Sequence, residues 1–381
     1  MNFRLNIPNF LLFFCLAFIG LNLIRLKDIS RESESPLDQR QPFFAGKLYS
    51  QEKNPYNDEL LKQAWHEESQ AGEWVYSKQP GGPENYMLYP PFVASLYSLF
   101  SDYSWFQWGN LWYTLEFVLL FGFILLAFFH FERKHFWAFL AFLLAYKALF
   151  PALMLGQPLW ISLLAGMGFL YFRKSNSLLA AIFLTITAFK PSIALPLFAF
   201  TMVYDFRQLL YAVGLVLLLQ IPFFLHFGKD SFLIIQDWLH NMEFQQAIVF
   251  SDAHDFLVSN LVDISPVLGK LGIGLWLEKL LLLGSVGLIL LGAFKKWYSE
   301  EQSLALLLLA SLSFSYHLYY DVFILLLSIP YFMKKEWWYS VPLLALFLPG
   351  LSSLSIFLTP LLLLFALVLH LSSRDSKSLE A

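Results

Sequence analysis

Several polar side chains interrupt an otherwise apolar chain where they could support chemistry. Lys190 stands directly before Pro191, at the junction of two apolar runs. A cation there can rest against a substrate phosphate, or its stem can simply snorkel to the membrane interface. His317 sits among Tyr316, Tyr319, Tyr320 and Asp321. Rings and hydroxyls at that density suit a sugar or its phosphate, and an imidazolium can offset leaving-group charge. The plainer reading is a polar connector between helices. Gln157, in Leu155-Gly156-Gln157-Pro158, could contact a sugar hydroxyl or cap the helix that follows. Segment 27–87 holds eleven Asp/Glu against seven Lys/Arg. Any of these acids, Asp38 included, could serve as a base if held against a hydroxyl, although solvation is the usual fate of such a charge. Glu67, Glu68 and Glu73 read as a solvated helix face. Asp252, His254 and Asp255 could hold a divalent cation through oxygen and imidazole, or form a polar loop. With no zinc spacing and one cysteine, Cys15, no metal or cofactor is assigned.

The elements that must carry these residues are membrane helices. Of 381 residues, 58% are hydrophobic, 19% aromatic and only 14% charged, far below the charge of about 25% usual in soluble domains. The formal net charge of −3 argues against nucleic acid as a partner. Runs 10–26, 106–130, 208–227 and 354–371 meet or approach the roughly 20 apolar residues of a crossing. Shorter runs come in pairs, 136–150 with 157–172, 177–190 with 191–203 and 302–315 with 319–333. Each pair is joined by a polar or proline-marked break, a pattern tolerated at membrane depth only where protein or a water-filled cavity covers it.

Alternate breaks are basic: Arg133-Lys134, Arg173-Lys174, Arg207, Lys295-Lys296 and Lys334-Lys335, with Arg374 and Lys377 in the tail. Short basic loops stay cytoplasmic. This orientation gives cytoplasmic termini, an uncleaved first helix, a long outer loop at 27–87, an interfacial helix at 88–101, a second outer loop at 228–266, and about 12 crossings in all. The expectation is one all-α polytopic domain spanning residues 1–381, with the proline, glutamine and histidine breaks gathered on the outer face.

The ordered motifs carry a resemblance. Asp38 is followed by Phe43-Phe44-Ala45-Gly46, then Asn54-Pro55-Tyr56, Tyr89-Pro90-Pro91, Gly156-Gln157, Lys190-Pro191, and Ser315-Tyr316-His317 with Tyr319-Tyr320-Asp321. In this order they resemble glycosyltransferase family 87 of the GT-C superfamily, the polyprenyl-phosphate-sugar-dependent transferases. One departure is Pro42, where the family usually has an aromatic residue. The resemblance implies that Asp38 is the catalytic carboxylate of the first outer loop. It implies a polyprenyl-phosphate-linked hexose, mannosyl-like, as donor and a glycan or glycolipid hydroxyl as acceptor. Lys190, Arg40 and His317 would hold the donor phosphate, with Gln157, Tyr316 and Tyr320 nearby. Transfer would invert the anomeric centre at the outer face of the plasma (inner) membrane. No glycine-rich nucleotide loop is present, in keeping with a lipid-linked donor. Two other classes stay open on the residues alone. A transporter or lipid flippase also uses broken helices and midplane cations, but no inverted repeat is visible. A scaffold subunit of an envelope-assembly complex would depend on no single carboxylate.

Overall fold

The computed structural model describes residues 37–71, 87–146, 149–250, 268, 275–314, 319–333 and 343, and the regular structure among them is helical. A 3-10 turn, Leu37–Gln39, leads into α1 (Arg40–Ser50), α2 (Asp58–Ala71) and α3 (Pro91–Tyr97). Then come α4 (Trp105–His130), α5 (Arg133–Ala145), α6 (Leu149–Met154), α7 (Leu159–Phe172), α8 (Ser177–Thr187) and α9 (Pro191–Tyr204). The series continues with α10 (Phe206–Phe227), α11 (Ser231–Phe250), α12 (Leu275–Phe294) and α13 (Glu300–Phe314). A 3-10 stretch, Tyr319–Ser328, runs into α14 (Ile329–Phe332).

Local sequence explains where these helices begin. Ser104 and Gln107 form a reciprocal capping box at the start of α4. Asn176 accepts the Leu179 amide at the start of α8. Pro91 and Pro191 open α3 and α9, at positions where a missing N–H costs nothing. Three described helices are long and apolar enough to cross a membrane: Trp105–His130, Phe206–Glu243, in which α10 continues into α11, and Trp276–Phe294. Their outward faces carry exposed Phe117, Phe121, Leu217, Leu225 and Leu283, as lipid contact requires. The expected runs 10–26 and 354–371 lie outside the described residues.

The expected short pairs are present. Helices α7, α8 and α9 have 14, 11 and 14 residues. They pack with α4, α13 and the Tyr319–Ser328 stretch around a core that includes Trp160, Leu163, Leu184, Leu197, Leu308 and Phe323. Their breaks at 155–158 and 188–190 are therefore flanked by protein, which is the condition for irregular backbone at this depth.

The segment expected as a first outer loop is largely helical where it is described. Helices α1 and α2 build a second core with α3, α4 and α10, including Phe43, Phe44, Tyr56, Phe92, Trp105, Trp108 and Phe223. Gly46 permits the closest contact, because a Cβ there would stand 2.5 Å from the Tyr97 carbonyl carbon. Glu68 is not a solvated charge. Its carboxylate takes Lys47 Nζ at 2.7 Å and the Trp105 amide at 2.8 Å. Segment 88–101 is regular in part, as α3 and a 3-10 turn at Ser98–Phe100, with Phe92, Val93 and Tyr97 buried and Leu99 exposed. Within the expected second outer loop, residues 231–250 form α11. Asn54 Nδ2 donates to Asp237 Oδ2 at 2.6 Å, Trp238 Nε1 to the Leu88 carbonyl at 3.1 Å, and Asn241 Nδ2 to the Tyr56 carbonyl at 2.9 Å. These bonds bring the two segments expected on the outer side together.

Candidate active site

Asp38 is held by its neighbours in the chain and by a turn more than a hundred residues away. Its amide donates to the Leu155 carbonyl at 2.8 Å. The next residue, Gln39, is fully buried and donates from Nε2 to the Gly156 carbonyl at 2.5 Å. Gln39 Oε1 accepts the Tyr97 hydroxyl at 2.7 Å. Gly156 has a φ of 68°, a left-handed conformation that a side chain would disfavour. The Gly156-Gln157 motif thus works through its backbone, as a socket for the Asp38 turn. Gln157 itself is buried. It does not cap the next helix, whose N-cap is Pro158 with no side-chain bond.

Lys190 reaches the same place from the α8–α9 break. As the residue before a proline it is extended, with φ −125° and ψ 96°, and this turns the chain between the two helices. Its ammonium forms an ion pair with Asp321, whose side chain is 4% exposed, at the start of the Tyr319–Ser328 stretch. Lys190, Arg40 and Asp321 all lie within electrostatic reach of the Asp38 carboxyl. The Arg40 guanidinium lies over the Trp65 ring at 4.8 Å from its centroid.

Asp38 keeps part of its surface accessible, yet it lies among enough protein for burial to govern its ionisation. Burial lifts its carboxyl from 3.8 to about 7. Lys190 and then Arg40 pull the other way, and Asp321 adds a smaller upward push. A reachable carboxylate that titrates near neutrality is suited to general-base work.

Of the residues singled out in the sequence, Asp38, Arg40 and Lys190 come together, and Gln157 lies in the turn that holds Asp38. His317 and Tyr316 lie outside the described residues, as do Asp252, His254 and Asp255. Tyr320 precedes Asp321 in the 3-10 stretch. Four further residues belong to this region. Asp321 was visible only as one member of a polar cluster. Gln39 and Tyr97 gave no signal, because their roles depend on a bond between segments 58 residues apart. Glu116, in α4, is fully buried, and neither carboxylate oxygen has a normal hydrogen bond among the described residues. Trp112 is its close neighbour and Asp38 is within its electrostatic reach. A carboxyl on a membrane helix is the one sequence signal that marks it. Other motif residues are structural. Asn54 Oδ1 accepts the Tyr56 amide at 2.9 Å, and the Tyr56 hydroxyl donates to the Tyr89 carbonyl at 2.8 Å.

Long apolar helices, short broken ones buried beside them, and an acid–lysine–acid cluster at the breaks define a helical membrane protein with a candidate catalytic centre. The model of glycosyltransferase family 87 matches residues 87–328, and the chain belongs to that family. It is therefore a membrane glycosyltransferase. No curated protein and no solved structure matches it.

Proposed function

We propose that the protein transfers a hexosyl group, mannosyl-like, from a polyprenyl-phosphate donor to a hydroxyl of a glycan or glycolipid, with inversion. Residues 1–381 act as one domain in the plasma membrane, with both termini cytoplasmic and the Asp38 end on the outer side. Asp38 takes the acceptor proton as the acceptor oxygen attacks the anomeric carbon. Lys190, Arg40 and His317 hold the phosphate as it leaves, while Gln157, Tyr316 and Tyr320 line the sugar's place. No cofactor is invoked.

The observation that carries this reading is the meeting of Asp38, Lys190 and Asp321, from three distant parts of the chain, at a carboxyl that ionises near neutral pH. Two cations beside that carboxyl suit a leaving phosphate, and a single displacement with no covalent intermediate inverts configuration.

The test is transfer by the purified protein from a radiolabelled polyprenyl-phosphate hexose, with the anomeric configuration of the product read by NMR. A retained configuration, or transfer only from a nucleotide sugar, would refute the mechanism. Orientation is checked separately in a Cys15→Ser background. Cysteines introduced at Ser69 and Ser373 should label from opposite sides of intact cells, and same-side labelling would overturn the topology.

A further inference from the structure

Asp321 has no part in the chemistry as proposed, yet it forms an ion pair with Lys190, the residue assigned to the phosphate. Its side chain is nearly inaccessible, and its carboxylate pairs with Lys190 across 131 residues of sequence. It is also within electrostatic reach of Asp38. One ammonium therefore stands against a buried carboxylate at the spot where a substrate phosphate would need it.

The charge of that phosphate changes during the reaction. The donor is a phosphodiester with one negative charge. The acceptor O–H bond breaks and its proton goes to Asp38. The acceptor oxygen bonds to the anomeric carbon, and the carbon–oxygen bond to phosphate breaks with its electron pair passing to the phosphate. The product is a phosphate monoester carrying roughly −1.5 to −2 charges near pH 7, by analogy with other monoesters. Lys190 alone would hold this product more strongly than the substrate. An acid fixed beside Lys190 opposes that, because its repulsion grows with the charge on the phosphate and it recovers the ammonium when the product departs.

We propose that Asp321 is a positioning residue that sets product release, competing with the lipid monophosphate for Lys190. The inference rests on the reading of Lys190 as the phosphate partner. It assigns Asp321 an effect that discriminates by phosphate charge, which a purely structural ion pair would not show.

The experiment measures binding of farnesyl monophosphate, and of a farnesyl phosphodiester, to the purified protein at pH 8. Asp321→Asn should bind the monophosphate about tenfold more tightly than wild type, while the diester changes by less than about threefold, because repulsion scales with charge. Lys190→Gln should weaken both, and the gain from Asp321→Asn should be smaller in that background than in wild type, because competition for the ammonium is gone and residues acting through one partner are not additive. Tighter binding of both ligands alike, or an Asp321→Asn gain as large in the Lys190→Gln background as in wild type, would overturn the proposal. Lys190→Arg covers the case in which Asp321→Asn is not monodisperse. A guanidinium fork can hold Asp321 and phosphate together, so this variant should bind the monophosphate more tightly and turn over more slowly. Monophosphate affinity at or below wild type in Lys190→Arg would also overturn it. If Lys190→Gln binds both ligands as wild type does, the phosphate reading itself fails, a result distinct from the others.

Discussion

Two charged clusters stand at opposite ends of the same helices. Helix α7 begins beside Gln157 and ends at Arg173, and α9 begins at Lys190 and ends at Asp205. Each has 14 residues, so the two ends are about 21 Å apart. At the Arg173 end, the guanidinium bonds Asp205 at 2.8 Å and also pairs with Glu300. Lys174 adds a second contact to Glu300 at 3.2 Å, and Gln208 donates to the Arg173 carbonyl. Burial works against the Glu300 carboxylate, but the Arg173 bond and charge, with Lys174, outweigh it and hold Glu300 below the ordinary carboxylate range. At the Asp38 end the balance is reversed. Burial outweighs two cations, and the carboxyl is lifted to about 7. The difference teaches what separates a staple from a reactive group. Arg173 meets its acids with directed bonds that stabilise their charge. Asp38 has nearby cations, but Lys190 is already engaged by Asp321.

The sharpest way to break this comparison is to remove the carboxylate at the Asp38 end. Asp38→Asn keeps shape and polarity but loses basicity. Transfer should fall by about 10²-fold or more, the lower range for general-base catalysis, with membrane insertion intact. Near-normal initial rates would take Asp38 out of the role.

The pH dependence comes next. A base must be deprotonated to act, so kcat/KM should rise about tenfold per unit below pH 7 and level off above it, given a carboxyl that titrates at about 7. The stability effect has the opposite sense. The folded state binds this proton more tightly than the unfolded chain. The stabilisation from Asp38 is therefore full below pH 3.8 and is lost as pH climbs through about 7. Asp38→Asn should accordingly melt above wild type at pH 8 and show no such gain at pH 4. A rate profile flat from pH 5 to 8 would contradict the raised value.

Lys190 gives a smaller effect. Lys190→Gln should raise the donor KM or lower kcat/KM by about tenfold, in keeping with the loss of one charged contact. Lys190→Arg should retain more of the rate. A snorkelling lysine would leave initial rates unchanged in both variants.

Arg173 should show the least effect on activity and a clear one on stability. Arg173→Met leaves Asp205 and Glu300 without their guanidinium. The destabilisation should be about 2 kcal/mol, below the range for fully buried pairs because both acids keep some exposure. The rate per folded molecule should stay within about twofold, since sites this far apart contribute independently. A large loss of kcat with unchanged stability would erase the distinction between the two ends.

How much of this was legible in the chain follows from the range of each interaction. Helix starts at Ser104, Asn176, Pro91 and Pro191 are local, because a cap or a fixed φ acts within one turn. The break at Lys190-Pro191 and the alternation of basic loops are equally local, and both were read without coordinates. The helical character of 40–50 and 231–250 was not read because polar residues dilute their apolar stripes, whereas 58–71 was read as a helix face only through its acids. Only packing against Trp105, Trp108 and Phe223, or bonds such as Asn241 to Tyr56, fixes those segments. Glu68 was misjudged for the same reason, since its partners Lys47 and Trp105 lie 21 and 37 residues away.

By itself, then, the sequence determined that the chain is helical and membrane-borne, where its helices break, and which motifs occur in what order. Those properties come from composition, periodicity and capping, which are additive along the chain. The tertiary structure alone decided which of the described acids in segment 27–87 lies near Lys190 and titrates near 7. It also decided that Asp321 engages that lysine, and that Gly156 receives Gln39. Desolvation and ion pairing depend on which distant segments share one small volume, and only the packed helices bring residues 38, 190 and 321 together.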